Sequence, residues 1–595
     1  MTERLLLSAL VGLMAVALLA ATAEDPAGRF AMGSPPGEEG RQIDFFRAAG
    51  RRSATRGRGA PDAYNAHGAG FRLVAEETQA RPAAGTLRVN VIDEAGKPLP
   101  ARVHLRDAEG RYLLVAGQST RQKAVYRDTQ PAAGDWFYTD GSFSIDVGPG
   151  EAQIDIAHGP AYATAHDAIP IVTGQTTEKT YTLRRLIDLP AMGWYSADEH
   201  LHQLPDSLLM LAEDLNLAAI PICGGVDLQY RAGQKVTQLP DAAHLLVSEL
   251  PALEWDCFLW NLPKPLAMRL GKEDWPREDG ATSDRPGGSA DLRTSFVVRT
   301  PFLVEQMHEA GATLIAYMHD PPRLWYYPLY VANGWIDVYG VLENGYCSIA
   351  NRRTEAEFWR GFDGDGTGGN FGIWYRFLNC GYRLPASAGT DNIGMGVGVW
   401  KGYNRVYAKL DGPLTVENWL SALKRGRSFV TNRPLLFVTV DGKEPGSELA
   451  INSAQAAPLN VDIHAVSATP ISRIDIMHQG RVLKRIDVDP PSADIRRSEK
   501  ITVPKSGWLA VRCLGRSENP NLSPAFALAH TSPFYLIVDG RPIRSPEDAR
   551  YFHDQFSAFV NRSLPRVKNE QIRRILEAKC RDALAKYAAQ AEIAQ

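Results

Sequence analysis

The chain has 595 residues, a formal net charge of −3 at pH 7 and 44% hydrophobic residues. It is too long for one hydrophobic core, because single cores stop growing near about 250 to 300 residues, so we expect three or four units. The nearly balanced charge creates no large basic field, which argues against nucleic acid or another polyanion as a partner.

The six cysteines are scattered and have no paired CxxC spacing. This pattern excludes a zinc knuckle and a dense disulfide framework. Buried free thiols are the favoured interpretation, and one or two disulfide bridges stay open as an alternative.

The first residues have the pattern of a secretory signal. Arg4 precedes a short apolar run from Leu5 to Leu19, and Ala21-Thr22-Ala23 has the small side chains of a cleavage site. We therefore expect residues 1–23 to be removed on export, leaving a periplasmic or secreted protein. No later stretch approaches the roughly 20 apolar residues of a membrane helix, so no membrane association is expected after signal removal.

Residues 24–84 are rich in Gly, Arg, Ala and Pro and have little apolar periodicity, which predicts a poorly ordered linker. Phe30-Ala-Met-Gly-Ser34 resembles the opening of a formylglycine-generating-enzyme-type (sulfatase-modifying-factor-like) domain. Arg51 to Arg58 and Gly70 to Val74 resemble its closing strands. The large middle of such a domain is absent, so we interpret the segment as a truncated remnant without that family's activity.

Residues 85–187 predict a small antiparallel β-sandwich. Apolar and polar residues alternate in short runs, as in Leu87 to Ile92 and Ala101 to Leu105, and turns rich in Gly and Pro separate them. The stretches Gly96 to Arg102 and Phe137 to Gly141 resemble the carboxypeptidase-regulatory-like (transthyretin-like) domain. Such a module usually braces a neighbouring domain, and no catalytic grouping is found in it.

Strands alternate with helices in residues 188–436, which predicts a parallel α/β core. In the first unit, Asp206 is placed to cap a helix that carries Leu208, Leu211 and Leu215 on one face, and Ala218 to Ile222 forms the next strand. In a later unit, Thr300 is predicted to cap a helix with Pro301 at its first position. Gly311 is predicted to end that helix, and Ala312 to Met318 to form a strand.

Short alternating strands return in residues 437–545 and predict a second β-sandwich. Residues 546–595 predict a C-terminal helical segment. Its apolar side chains at Ile572, Ile575, Leu576 and Leu584 indicate an amphipathic helix that lies on a neighbouring surface.

The candidate metal ligands follow predicted strands. His200 and His202 are separated by one residue, so on an extended strand both side chains leave the same face. His319 follows the strand that ends at Met318, and Asp391 lies in a small-residue turn. Three imidazoles and a carboxylate form an ordinary ligand set for zinc or another divalent metal. Alternatively, the histidines are hydrogen-bonded core residues and Asp391 bonds its own backbone in a turn.

The motif Gly193-Trp-Tyr-Ser-Ala-Asp-Glu-His-Leu-His202 resembles the first motif of the carbaryl-hydrolase-like (CehA/McbA) branch of PHP-type metallohydrolases. Leu378 to Asp391, Gly402 to Tyr407 and Trp419 to Asn432 support the same resemblance. It implies a distorted PHP-like β/α barrel over roughly residues 190–440, flanked by two β-sandwich domains. It also implies a divalent metal at the strand ends, zinc or alternatively manganese or iron, that activates water to hydrolyse an ester, carbamate or phosphoester bond.

The chain also departs from the family pattern. Ile222 to Asp227, Asp256 to Trp260 and Asp391-Asn392-Ile393 replace stretches that carry ligands in metal-rich members, so at least three family ligands are missing. We therefore expect a reduced, one-metal site with the candidate ligands His200, His202, His319, Asp391 and Glu343. Asp198 and Glu254 are the candidate catalytic carboxylates that orient the water, although Glu254 and Glu343 could instead be paired with arginine or solvated.

The aromatic stretches Trp325 to Tyr327, Trp335 and Trp374-Tyr375 suit a flat or glycan-like small-molecule substrate by stacking, or else pack at a domain interface. The alternative to an enzyme is a non-catalytic extracellular binding protein that keeps a degenerate barrel as a scaffold. The sequence leaves the oligomeric state open.

Overall fold

The chain divides into two units, Met1–Pro82 and Ala83–Gln595. The computed structural model describes residues 84–115, 120–121, 135–201, 205, 207–222, 235–239, 244–253, 257–261, 292–317, 326–343, 369–390, 400–455, 457–523, 525–567 and 569–592. The predicted signal peptide and the predicted remnant, apart from its last residue, lie outside these residues. The described part is a β-rich mixed α/β fold with seven α-helices.

Two sheets occupy the residues for which the first sandwich is predicted, in the orders β6-β1-β9 and β4-β5-β2-β7-β8, with β3 beside β2. Their strands are β1 (Gly85–Ile92), β2 (Ala101–Arg106), β3 (Tyr112–Leu113), β4 (Thr120–Arg121), β5 (Trp136–Thr139), β6 (Ser142–Val147), β7 (Gly150–Ala157), β8 (Ala165–Ile171) and β9 (Thr176–Thr182). Alternate residues of β1 are buried, as the sequence pattern predicts.

One pairing differs from the predicted antiparallel arrangement, because β1 and β9 run parallel. The chain crosses to the other sheet in β7 and β8 before it returns as β9. Such a crossover connection allows parallel pairing, whereas a hairpin allows only antiparallel pairing.

The middle of the chain alternates strands and helices as predicted. Its elements are β10 (Trp194–Asp198), α1 (Ser207–Ala212), β11 (Leu217–Ile222), β12 (Lys235–Gln238), β13 (Leu245–Leu253), β14 (Cys257–Trp260), α2 (Leu292–Glu309), β15 (Thr313–Tyr317), α3 (Tyr327–Ala332), β16 (Val338–Glu343), α4 (Gly369–Asn379), β17 (Ala386–Gly389), β18 (Arg405–Lys409), α5 (Val416–Lys424) and β19 (Ser428–Thr431).

Six of these strands run in one direction. β10 pairs parallel with β11, and β11 with β13. β14 is antiparallel to both β13 and β15, so β13 and β15 point the same way. β15, β16 and β17 then pair parallel in turn. Among the described residues no ladder pairs β17 with β10, so that part of the chain shows no closed barrel of parallel strands.

The predicted start of helix α2 at Thr300 is wrong. The helix begins at Leu292 and contains Pro301 in its interior. A proline there removes one backbone hydrogen bond of the helix. The next turns compensate by packing, since Phe302, Leu303 and Val304 are all buried in the core.

The C-terminal elements are β20 (Leu435–Val440), β21 (Glu448–Ile451), β22 (Leu459–His478), β23 (Arg481–Ile501), β24 (Gly507–Arg516), β25 (Phe526–Thr531), β26 (Phe534–Val538), α6 (Pro546–Ser563) and α7 (Glu570–Glu592). Three short 3-10 helices complete the described structure: Pro190–Met192, Ser453–Gln455 and Leu564–Arg566. None of the helices in the described ranges is long and apolar enough to cross a membrane.

Strands on the two sides of the predicted domain boundary at residue 436 share one sheet. β19 pairs antiparallel with β25, so hydrogen bonds continue from the α/β part into the second sandwich. The aromatic rings of Trp194, Phe429 and Phe437 meet at centroid distances of 5.1 to 5.7 Å in a core that both sandwiches share. The two sandwiches are therefore packed together and do not lie apart on either side of the α/β part.

The C-terminal helices cover the helices of the α/β part. Phe552 stacks on Phe377 at a centroid distance of 4.1 Å, and the Tyr587 hydroxyl donates to the Pro328 carbonyl at 3.0 Å. Ile572 and Leu576 are buried as predicted, whereas Ile575 is 37% exposed and lies off the buried face.

Of the described cysteines, Cys380, Cys513 and Cys580 are free and buried, which agrees with the favoured interpretation for them. Burial raises the pKa of the Cys513 and Cys580 thiols to about 12, so both stay protonated and unreactive at neutral pH.

Candidate functional site

The candidate site is built at the carboxyl end of β10, where residues 198–201 form what we name the strand-end segment. All four of its residues, Asp198, Glu199, His200 and Leu201, are buried. The Glu199 amide donates to the Ala388 carbonyl of β17 at 3.5 Å, and the Leu201 amide donates to the Ala219 carbonyl of β11 at 3.0 Å. The backbone on both sides of His200 is therefore held by neighbouring strands.

Asp198 joins this segment to two loops. Its Oδ1 accepts hydrogen bonds from the Thr390 amide at 2.9 Å and the His200 amide at 3.3 Å. Its Oδ2 accepts from the Thr390 hydroxyl and the Gly402 amide, both at 2.7 Å. Four donors of the chain thus surround the carboxyl group, which connects the end of β10 to the residue after β17 and to the turn before β18.

Burial raises the pKa of Asp198, and the four hydrogen bonds oppose that shift because they favour the ionised form. Both oxygens are engaged by the protein itself. This geometry supports a positioning role for Asp198. Its predicted role in orienting water stays a prediction.

Gly402 is a site residue that the sequence suggested only through its motif. Its φ of +74° lies in the left-handed region, and an added Cβ would lie 2.8 Å from Nη2 of Arg405. Only glycine allows its amide to reach Asp198 while the Arg405 Nε donates to its carbonyl at 2.6 Å. Thr390 was likewise missed, because its role depends on a hydrogen bond across 192 positions of sequence.

Most of the predicted site residues lie outside the described part of the structure: His202, Glu254, His319 and Asp391. Glu343 closes β16, where its backbone pairs with Gly389, but its side chain lies outside the description. The structure therefore describes the side chains of only Asp198 and His200 among the predicted site residues. Their catalytic and ligand roles stay predictions.

The described residues that precede these candidates share one edge of the sheet. Asp198 ends β10, Leu253 ends β13, Tyr317 ends β15 and Gly389 ends β17. All four strands run in the same direction, so their carboxyl ends face the same side. In parallel α/β sheets, catalytic and ligand-binding groups gather at this edge.

Within the described ranges, no group of three or more His, Cys, Asp or Glu side chains is arranged to hold a metal ion. His200 contributes a buried imidazole at the strand edge, and the side chains of the other predicted ligands lie outside the described residues. Among the predicted metal ligands, the structure thus describes one imidazole, that of His200. One imidazole is compatible with a metal site but does not form one by itself.

The predicted aromatic platform is part of the core instead. Trp374 is fully buried and its Nε1 donates to the Leu384 carbonyl at 2.8 Å. The Tyr375 hydroxyl lies 2.7 Å from Nε2 of His530, and Trp335 is 8% exposed. These rings pack between α/β helices and the C-terminal elements, which agrees with the alternative interpretation. The position of Trp325 lies outside the described residues.

His530 is the clearest pH-sensitive group near these rings. It is fully buried, and its Nδ1 lies 2.7 Å from the Thr531 carbonyl, which fixes the proton on Nδ1 and leaves Nε2 to accept from Tyr375. Burial lowers the pKa of His530 to about 3, so the ring is neutral at physiological pH.

No protein-family model matches the chain, and no curated protein matches it. Among solved structures, a β-glucuronidase of Parabacteroides merdae aligns with 9% sequence identity and a TM-score of 0.13 over 74% of this chain and 60% of that chain. A similarity this low carries no information about fold or activity.

Proposed function

We propose that the chain is an exported metal-dependent hydrolase of the PHP type with a distorted β/α barrel and a reduced metal site. Its substrate would be a small molecule or glycan with an ester, carbamate or phosphoester bond. The observation that carries this proposal is the shared strand edge, where the ends of β10, β13, β15 and β17 face one side.

The hydrogen bonds of Asp198 support the same proposal. They attach Thr390, the residue before Asp391, directly to the strand-end segment that contains His200. Two of the four sequence stretches that resemble the carbaryl-hydrolase-like family, Leu378 to Asp391 and Gly402 to Tyr407, therefore meet the first motif in space. Separate motifs of an active site are expected to converge in this way.

In the proposed site, His200, His202, His319 and Asp391 hold the metal, and Glu343 is a further ligand. Zinc suits three imidazoles and a carboxylate, with manganese or iron as alternatives. A divalent metal held there would acidify a water molecule and polarise the scissile bond. Asp198 positions His200 through its backbone, and Glu254 would be the carboxylate that orients the water.

A scaffold without catalytic activity is the second candidate. It is favoured by the hydrogen bonding of Asp198, whose carboxyl group accepts four hydrogen bonds from the protein itself. Both oxygens of this predicted catalytic residue are therefore engaged in holding the structure. In that case the strand edge would serve only to orient the two sandwiches for binding an extracellular partner.

Metal analysis of the purified full chain separates these candidates. The wild type is expected to contain about one equivalent of metal that the double variant His200→Ala/His202→Ala loses. His553→Ala is the matched control, since His553 is a partly exposed histidine on helix α6 whose Nδ1 contacts only its neighbour Asp554. Wild-type protein without bound metal after reconstitution with zinc, manganese and iron would rule out the enzyme.

A further inference from the structure

Three buried arginines converge on the two-residue turn after helix α1, and we name this group the arginine junction. Arg102, Arg405 and Arg433 are 0%, 2% and 3% exposed, respectively, and the turn consists of Glu213 and Asp214. The three cations come from different parts of the chain: strand β2 of the first sandwich, strand β18 of the α/β part, and the segment between β19 and β20.

Two of the arginines contact the turn directly, and the third contacts Gly159 beside it. The Arg102 Nε donates to Oε1 of Glu213 at 2.7 Å, and Nη1 of Arg405 donates to the Glu213 carbonyl at 2.9 Å. Nη1 of Arg433 donates to the Gly159 carbonyl at 3.1 Å. Gly159 lies directly against the turn, since a Cβ on it would meet the Glu213 carbonyl oxygen at 2.9 Å.

Part of the positive charge at the junction has no partner. Among the described residues, Nη2 of Arg102 and both Nε and Nη2 of Arg433 are buried without a hydrogen-bond acceptor. The Glu213 carboxylate accepts a hydrogen bond from Arg102 and acts on Arg433 electrostatically, whereas the carboxylate of Asp214 acts electrostatically on Arg185. Buried donors and charges of this kind are destabilising unless they are paired.

Other contacts stabilise only part of the buried guanidinium groups of the arginine junction. The face of the Arg102 guanidinium lies 3.5 Å from the centroid of the Trp400 ring, and its Nη1 donates to the Asn521 carbonyl at 2.6 Å. Burial lowers the pKa of Arg433 to about 10, and Arg102 and Arg405 act in the same direction while Glu213 opposes them. Arg433 nevertheless remains a cation at neutral pH.

We propose that the arginine junction binds a small inorganic anion of chloride size through the unpartnered nitrogens of Arg102 and Arg433. A small anion fits because all three arginines are closed off from solvent, which excludes a bulky organic ligand. An anion fits better than water, because water accepts hydrogen bonds but does not neutralise the charge. The bound ion stabilises the contact of the two sandwiches with the α/β part, and this inference is independent of the proposed hydrolase.

Thermal unfolding of the full chain tests the proposal. Sodium chloride is varied from about 1 mM to about 300 mM at constant ionic strength, with sodium gluconate as the balancing salt. The wild-type Tm is expected to rise with chloride by about 2 °C or more, because an ion bound only to the folded state stabilises it. A Tm that is the same in chloride and gluconate overturns the proposal.

Two variants make the result specific. Arg433→Met removes two of the three unpartnered nitrogens, Nε and Nη2 of Arg433, and should abolish the chloride dependence. Arg512→Met is the matched control: it removes another buried arginine, which donates to Asp475 at 3.1 Å, and should lower the Tm but keep the chloride dependence. Chloride dependence that survives Arg433→Met contradicts the proposal.

Crystals of the wild type soaked in bromide give a test that does not depend on a folded variant. An anomalous peak within hydrogen-bond distance of Nε or Nη2 of Arg433 is expected. An ordered water in that place with no anomalous signal overturns the anion site.

Discussion

The substitution Thr390→Val tests the hydrogen bonds that organise the candidate site. Thr390 and Asp198 are both fully buried, and the Thr390 hydroxyl donates to Oδ2 of Asp198 at 2.7 Å. Valine keeps the shape of the side chain and the backbone bond to Oδ1 but removes the hydroxyl. A buried hydrogen bond to a carboxyl group contributes about 1.5 to 3 kcal/mol, so we expect a loss of about 2 kcal/mol.

Hydrogen exchange at the strand-end segment measures this loss locally, which matters because a multidomain chain does not unfold in one step. A loss of about 2 kcal/mol corresponds to roughly thirtyfold faster exchange of the Glu199 and Leu201 amides. Thr180→Val, on the exposed side of β9, is the control and should leave exchange unchanged. Exchange in Thr390→Val within about a factor of two of the wild type would refute the reasoning.

Three further predictions concern other parts of the fold. Gly402→Ala should lower the free energy of unfolding of the α/β part by about 2 kcal/mol. The reason is that φ is +74° and the new Cβ would lie 2.8 Å from the Arg405 guanidinium. Denaturant titration measures this loss, and an unchanged unfolding midpoint contradicts it. In the folded state His530 has a pKa of about 3, so its ring is neutral over most of the acidic range. Between about pH 6.5 and about pH 3 the unfolded state therefore binds one more proton than the folded state. The free energy of unfolding is expected to fall as the pH drops through this range, by up to about 1.4 kcal/mol per pH unit. A His530→Gln variant should have a shallower slope over that range, and an identical slope argues against this assignment. Phe552→Ala removes the ring that stacks on Phe377 at a centroid distance of 4.1 Å. It should destabilise the packing of the C-terminal helices by about 3 to 5 kcal/mol and speed limited proteolysis within residues 546–592. An unchanged cleavage rate argues against this packing.

Local patterns predicted the elements well where side chains repeat at a clear period. The alternation in Leu87 to Ile92 indicated a half-buried strand, and β1 spans Gly85–Ile92 with alternate residues buried. The apolar run Ala218 to Ile222 indicated a buried strand, and β11 spans Leu217–Ile222. These predictions succeed because the spacing of apolar residues along a strand or helix shows which of its faces is buried.

The same local reasoning was wrong where tertiary packing outweighs local preference. Pro301 is a strong signal for a helix start, yet helix α2 continues through it because the following turns are buried against the core. For the aromatic pair Trp374-Tyr375 the sequence allowed either a stacking surface or interface packing, and the burial of both rings beside His530 agrees with packing. Composition alone does not distinguish an aromatic residue in the core from one in a binding site.

The sequence by itself determined the alternation of strands and helices in the middle of the chain and strands such as β1 and β11, because these depend on periodicity within short stretches. Only the tertiary structure decided that Asp198 bonds to Thr390 and Gly402, that β19 joins β25, and that Arg102 and Arg405 meet at Glu213. Such contacts join residues about 100 to 200 positions apart. They follow from how strands and domains pack, which no local pattern encodes.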